Sequence, residues 1–276
     1  MHLDVTMHLD VTIHGHGEPG IAALDYAVAL VMVAAAALYL GGLRAARRQG
    51  RSWPLWRTAC WIVGLLVVTV SMIGPLATAG HESFTAHMLG HLLAGMVAPI
   101  FLVVAAPVTL ALRALEVRQA RRLSRLLRSR PARFLVHPVT AAVINVGSLW
   151  LLYTTQLYEL MQSSSFFHLL VTAHFVIAGY LLVASLIGVD PNPHRAGYPL
   201  RAVVLVAALA GHGILSKYLY AHPPAGVSLT EAQSGSVLMY YGGDVADAAL
   251  IVILCLQWYR AAGKTRALEP GVRASG

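Results

Sequence analysis

FTAHMLGHLLAGMVAPIFLV, residues Phe84–Val103, is an apolar run of twenty residues that carries two histidines, His87 and His91. A run of this length is what a helix needs to cross a bilayer. On a helix, positions four apart share one face, so both imidazoles lie one turn apart on the same side. Ionisable side chains inside a membrane are costly and usually mark function. Pro99 and Pro107 sit within and just after the run, where they kink or bound a spanning helix.

The composition agrees with a membrane setting. Of 276 residues, 57% are hydrophobic and only 12% charged, against about a quarter charged in a soluble domain. Mean hydropathy is +0.66. Seven apolar spans recur, at about 24–43, 55–76, 84–108, 134–154, 165–187, 199–220 and 235–259. Each approaches the roughly 20 residues that a bilayer core demands. The fold class is therefore all-α, a polytopic seven-helix membrane bundle. The two cysteines, Cys60 and Cys255, form no CxxC and exclude a thiolate metal site or disulfide framework; they read as packing residues.

The net charge of +8 does not point to nucleic acid, because the basic residues are distributed by topology. Arg44, Arg47, Arg48, Arg51 and Arg57 follow the first span, and eight arginines from Arg113 to Arg133 follow the third. Arg195 and Arg201 follow the fifth; Arg260, Lys264, Arg266 and Arg273 follow the seventh. With seven spans, all but Lys217 of the twenty Lys and Arg fall on one side. Basic loops stay cytoplasmic, which puts the N-terminus outside and the C-terminus in the cytoplasm. The segment LEVRQARRLSRLLRSR (Leu115–Arg130) reads either as an interfacial helix on anionic lipid or as a plain topogenic loop. Three regions result: a His-containing tail (1–20), a membrane domain (21–260) and a basic tail (261–276). The tail repeats MHLDVT and carries His2, His8, His14 and His16. It lacks the cationic start and apolar core of a signal peptide.

Topology turns sequence position into depth. At about 1.5 Å per residue, His87 and His168 lie roughly 5 Å below the outer boundary, with His81 in the loop above. His91, His174, His212 and Asp244 fall between about 10 and 14 Å. Groups from four helices at matched depth predict a pocket open to the outside. Imidazole suits copper, zinc, iron and nickel, and thioether suits Cu+. Met88 and Met239 lie near the shallow layer and Met96 just below the deeper one. A His/Met set without thiolate therefore favours copper, Cu+ in preference to Cu2+, with zinc the alternative. Asp244 reads as an oxygen ligand or as the acceptor that fixes a histidine tautomer. Tyr240, Asp244 and Asp247 share a face of the last span. Any single membrane histidine can simply hydrogen-bond across helices. His168 and His174 are about 120° apart around their helix, so only one points squarely at the site. Asp25 and His137 read as boundary residues.

The run HMLGHLLAGMVAPIFLVVAAPVTLALRAL (His87–Leu115) resembles the signature of the caa3-type cytochrome c oxidase assembly factor family, CtaG: a His-Met-x-x-His pair followed by an Ala-Pro segment. His137-Pro138, Trp150…Tyr158, His174 with Asp190-Pro191, His212, and Gln233-Ser234-Gly235 with Met239-Tyr240 resemble later family segments in order. Two positions depart from the pattern: Ala232 replaces an acidic residue, with Glu231 one position earlier, and Tyr240 replaces a tryptophan.

The resemblance implies seven spans in a bacterial plasma membrane and a copper-inserting assembly role without turnover chemistry. Its implied partners are cytochrome c oxidase subunit I and an extracytoplasmic copper donor; a homodimer is compatible with it. Copper would be captured near His87 and His168 and held by His91, His174, His212 and Asp244, with Met88 and Met239 nearby. The competing readings are a seven-span zinc hydrolase, a haem or quinone protein, and a copper importer. The hydrolase needs about three protein ligands plus a water position. The importer needs polar groups continuing to the cytoplasmic side, and few are present.

Overall fold

The computed structural model describes residues 19–267, and among them every regular element is helical. In chain order these are α1 (Pro19–Arg48), α2 (Leu55–Met72), α3 (Pro75–Glu82), α4 (Phe84–Leu92), a π-helical turn (Leu93–Val97), α5 (Ala98–Val104) and α6 (Pro107–Ala114). There follow α7 (Val117–Leu127), α8 (Arg130–Leu135), α9 (Pro138–Thr154), α10 (Leu157–Gln162), α11 (Ser165–Ile187), α12 (Tyr198–Ala221) and α13 (Leu229–Ala267). The histidine repeat of the tail and Arg273 lie outside the described residues.

Six segments are long and apolar enough to cross a membrane: Ala23–Arg48, Leu55–Met72, Phe84–Ala114, Ser165–Ile187, Tyr198–Ala221 and Leu229–Gly263. The protein is thus a multi-pass membrane protein. The predicted fourth span is α9, which at 17 residues is shorter than the others. Pro138 starts it, because a proline fits the first helical turn and the preceding residue is pushed out of helix. The residues before it form the separate short helix α8. Outward-facing Leu30, Val33, Leu38, Ile177, Val206 and Val245 make an apolar exterior.

Breaks in the helices set the site. Span two was predicted to reach Leu76, but α2 ends at Met72. Gly74 takes φ 84°, a conformation glycine tolerates, and Pro75 then begins α3. His81 consequently sits on a helix rather than in a loop. The third segment is interrupted twice. Pro99 has no N–H to return to Gly95, and the chain answers with a π turn in which the Ala98 N–H donates to the Leu93 carbonyl. Ala106 then adopts φ 53°, and Pro107 restarts the helix as α6.

The restart is capped from a distance. The Asp190 carboxylate accepts hydrogen bonds from the Val108 N–H (3.2 Å), the Thr109 N–H (2.7 Å) and the Thr109 hydroxyl (2.6 Å). Asp190, just after α11, therefore caps the N-terminus of α6 across the fold. Asp190→Ala is expected to destabilise the protein by about 1–2 kcal/mol, whereas Asp190→Asn retains most of the cap; thermal unfolding in detergent measures both.

Arg201, counted with the cytoplasmic arginines, is 1% exposed. It donates to the Leu186 carbonyl (2.9 Å) near the end of α11 and lies 4.1 Å over the Tyr198 ring. A cation at a helix C-terminus complements the dipole. By contrast α7 buries no residue and sets its arginines on an exposed face. Cys60 is half-buried and Cys255 exposed, and neither is in a disulfide.

Candidate metal-binding site

The ligand-bearing helix α4 is anchored at its start. Ser83 is its N-cap, accepting from the Ala86 N–H. Glu231, on α13, accepts from the Ser83 hydroxyl (2.9 Å), the Thr85 N–H (3.2 Å) and the Thr85 hydroxyl (3.3 Å). The acidic residue displaced by one position in the sequence thus reaches the N-terminus of α4, while Ala232 is fully buried. Gly235 lets α13 lie against α4, since a Cβ there would come within 2.6 Å of the Phe84 ring.

The structure sorts the histidines into two groups. In the one nearer the starts of α4 and α11, the outer end in the expected topology, the His87 Nε2 shares a hydrogen bond with the Tyr153 hydroxyl (2.9 Å), which also points at the Met88 sulfur (3.9 Å). The His168 Nδ1 lies 3.0 Å from the His81 Nε2, and the His87 and His168 rings are 6.0 Å apart. Phe84, Tyr153 and Tyr158 pack around the His87 ring. Three imidazoles from α3, α4 and α11 therefore form a string near the end of the bundle where α4 and α11 begin.

In the inner group, His91 and His212 lie nearly parallel with ring centroids 6.4 Å apart. They are 8% and 6% exposed, and the Nε2 of each is buried without a hydrogen-bond partner among the described residues. Leaving such an atom unmade costs about 1–3 kcal/mol. Two glycines make room for these rings. A Cβ at Gly243 would come within 2.6 Å of the His212 ring, and one at Gly95 would approach His91 to 3.3 Å.

Cavities accompany both groups. An outer vestibule of about 280 Å³ is lined by Asp25, Ser71, His81, Glu82 and His168. A chamber of about 30 Å³ lies among His87, Gly90, His91, Tyr153 and His168. A second, of about 40 Å³, lies among His91, Met96, Asn145, His212 and Asp247. Each chamber holds a water or an ion but nothing larger. A groove of about 360 Å³ between α12 and α13 is lined by His212, Lys217, Tyr240, Asp244 and Asp247.

The predicted residues fall as follows. His87, His168 and Met88 come together in the outer group, and His91 and His212 in the inner one. His174 is not brought to them: it is exposed, with its ring against Phe175. Phe175, Ala178 and Gly179 occupy the buried face of α11 instead. Asp244 is also exposed and lines the groove, while Asp247, one turn on, is 8% exposed and lines the inner chamber. Met239 is fully buried in an apolar cluster with Met88, Phe84 and Leu215 and lines neither chamber. Among the described residues no three His, Cys, Asp or Glu side chains converge as a ready metal centre; the arrangement is one of pairs. Tyr153 and Asn145 were not predicted. The signal for Tyr153 was its place near the outer end of α9, at the depth of His87.

These features define a multi-pass helical membrane protein with paired histidines buried between helices. The family model of the cytochrome c oxidase caa3 assembly factor (Caa3_CtaG) matches residues 37–261, and the chain belongs to that family. Uncharacterized proteins of Mycobacterium bovis and Mycobacterium tuberculosis are each 33% identical over 243 residues, 80% of this chain. An uncharacterized protein of Mycobacterium leprae is 31% identical over the same length. The chain spans 37% of the length of these relatives. No solved structure matches the chain.

Proposed function

We propose that the protein binds copper as cargo, Cu+ in preference to Cu2+, and delivers it to the copper centre of cytochrome c oxidase subunit I in a bacterial plasma membrane. The observation that carries this reading is the pair of unpartnered nitrogens, His91 Nε2 and His212 Nε2, on two neighbouring rings that both line a chamber of ion size. Neutral imidazole is a copper ligand, and Met96, on the same chamber, adds a thioether that suits Cu+. A two-nitrogen set with a soft third neighbour fits Cu+, which accepts low coordination numbers. Zinc hydrolysis requires about three protein ligands and a water position, and the paired arrangement favours it less.

The seven-span topology belongs to the same proposal, with α9 as the short fourth span, the N-terminus outside and the C-terminus in the cytoplasm. The basic loops support it. A helix of 17 residues covers about 25 Å, which a slightly thinned bilayer accommodates. That orientation opens the vestibule outwards, where a copper donor would reach His81 and His168.

The direct test is metal analysis of protein purified from copper-grown cells and of protein loaded with Cu+ under reducing conditions. The expected result is on the order of one copper per chain. Protein that stays copper-free after loading would overturn the proposal.

A further inference from the structure

We infer that the cation leaves sideways, through the groove between α12 and α13, where a transmembrane helix of the acceptor protein docks. The inference rests on the copper reading above and adds a route and an interface to it.

The route is drawn by the partitions between cavities. His168 lines both the outer vestibule and the first chamber. His91 lines both the first and the second chamber. His212 and Asp247 line both the second chamber and the lateral groove. Each wall that the cation must pass is thus held by an imidazole, so it exchanges one nitrogen ligand for the next. His87 lies between the first two partitions, 6.0 Å from the His168 ring. The series ends on the side of the bundle, at a helix pair that spans the membrane.

The groove is unsuited to lipid. Lys217 and Asp244 are both exposed there, and Lys217 stands 5.2 Å over the Tyr240 ring. Asp244 lies about 22 Å along α13 from its start, well inside the spanning segment. An ionised side chain facing hydrocarbon is costly and faces a partner or a wet cavity instead. The rim is apolar, with Val206 66% and Ile214 57% exposed. A groove with an apolar rim and one charge of each sign fits a membrane helix that carries polar side chains, as a helix bearing metal ligands must. His212 then stands between the cargo and the acceptor's own ligands.

Two measurements test the interface. Ile214→Trp fills the groove from its exposed edge and leaves His91 and His212 unsubstituted. The purified variant is expected to bind copper like the wild type, while the copper content of cytochrome c oxidase in the same cells falls at least about tenfold, as when the centre of an interface is blocked. A photoreactive amino acid at Val206 is expected to crosslink to an oxidase subunit identified by mass spectrometry. The same label at Leu38, which is 77% exposed on α1, is expected not to. Unchanged oxidase copper in a copper-binding Ile214→Trp strain overturns the lateral exit and leaves the copper reading standing, as does an oxidase adduct from Leu38 with none from Val206. A wild-type protein that binds no copper removes the cargo and overturns both.

Discussion

His91→Ala is expected to lower the affinity of the purified protein for Cu+ at least about tenfold, a loss of 1.4 kcal/mol or more. The reason is the pairing. His91 and His212 each present a buried Nε2 with no hydrogen-bond partner among the described residues, and removing one leaves a single imidazole lining the chamber. His174→Ala is the matched control, because that side chain is exposed and its ring rests on Phe175; its affinity is expected to stay within about twofold. Competition against a chromogenic Cu+ chelator reads both variants, and helical content by circular dichroism shows that each is folded. The pairing is refuted if His91→Ala holds copper as well as the wild type, or if His174→Ala loses as much.

Gly179→Val is expected to destabilise the bundle by about 3 kcal/mol or more. A Cβ on Gly179 would overlap the Gly95 carbonyl oxygen and lie 2.9 Å from the Pro99 ring. Both neighbours belong to the π turn and its proline, so relief requires backbone movement directly below His91. The carbonyl in question is the one to which Pro99, lacking an N–H, cannot donate. Close contact with α11 is the consequence of that break. Gly41→Ala is the contrasting change. Nothing lies within 4 Å of its added methyl, and alanine favours the helix by roughly 0.5–1 kcal/mol. A thermal melt in detergent should place the two variants on opposite sides of the wild type. Equal melting temperatures would show that the contact between α11 and the π turn tolerates slack.

Level along the bundle was legible in the sequence, and rotation about the helix axis was not. The apolar runs located α11 and α12 within a residue or so of expectation, while α1 and α13 run well past the expected spans at both ends. Counting at 1.5 Å per residue placed His91 level with His212 and His87 level with His168, and both pairs meet. The same count placed His174 and Asp244 at that level as well. It carries no information about azimuth, which neighbours decide. On α11 the face with Phe175 and Gly179 is taken by the π turn and α5, so His174 turns outwards. On α13, Gly243 admits the His212 ring, and this fixes Asp247 inwards and Asp244 at the groove. The π turn was invisible because its cause, Pro99, predicts a disturbance but not its form. The third histidine of the outer group was missed as a helical residue because Gly74 and Pro75 together make a break that apolar content conceals.

Each histidine pair is completed from a distant part of the chain: His87 with His168, and His91 with His212. During synthesis the first member of each pair is made long before the second. A nascent chain that has inserted only α1 to α6 carries His87 and His91 but not His168 or His212, their partners. The inner pair forms only after residue 212 of the 276 has been translated and α12 has packed in the bilayer. A stalled or truncated product therefore lacks both pairs, and under the copper proposal occupancy of the inner pair would report that α12 has joined the bundle.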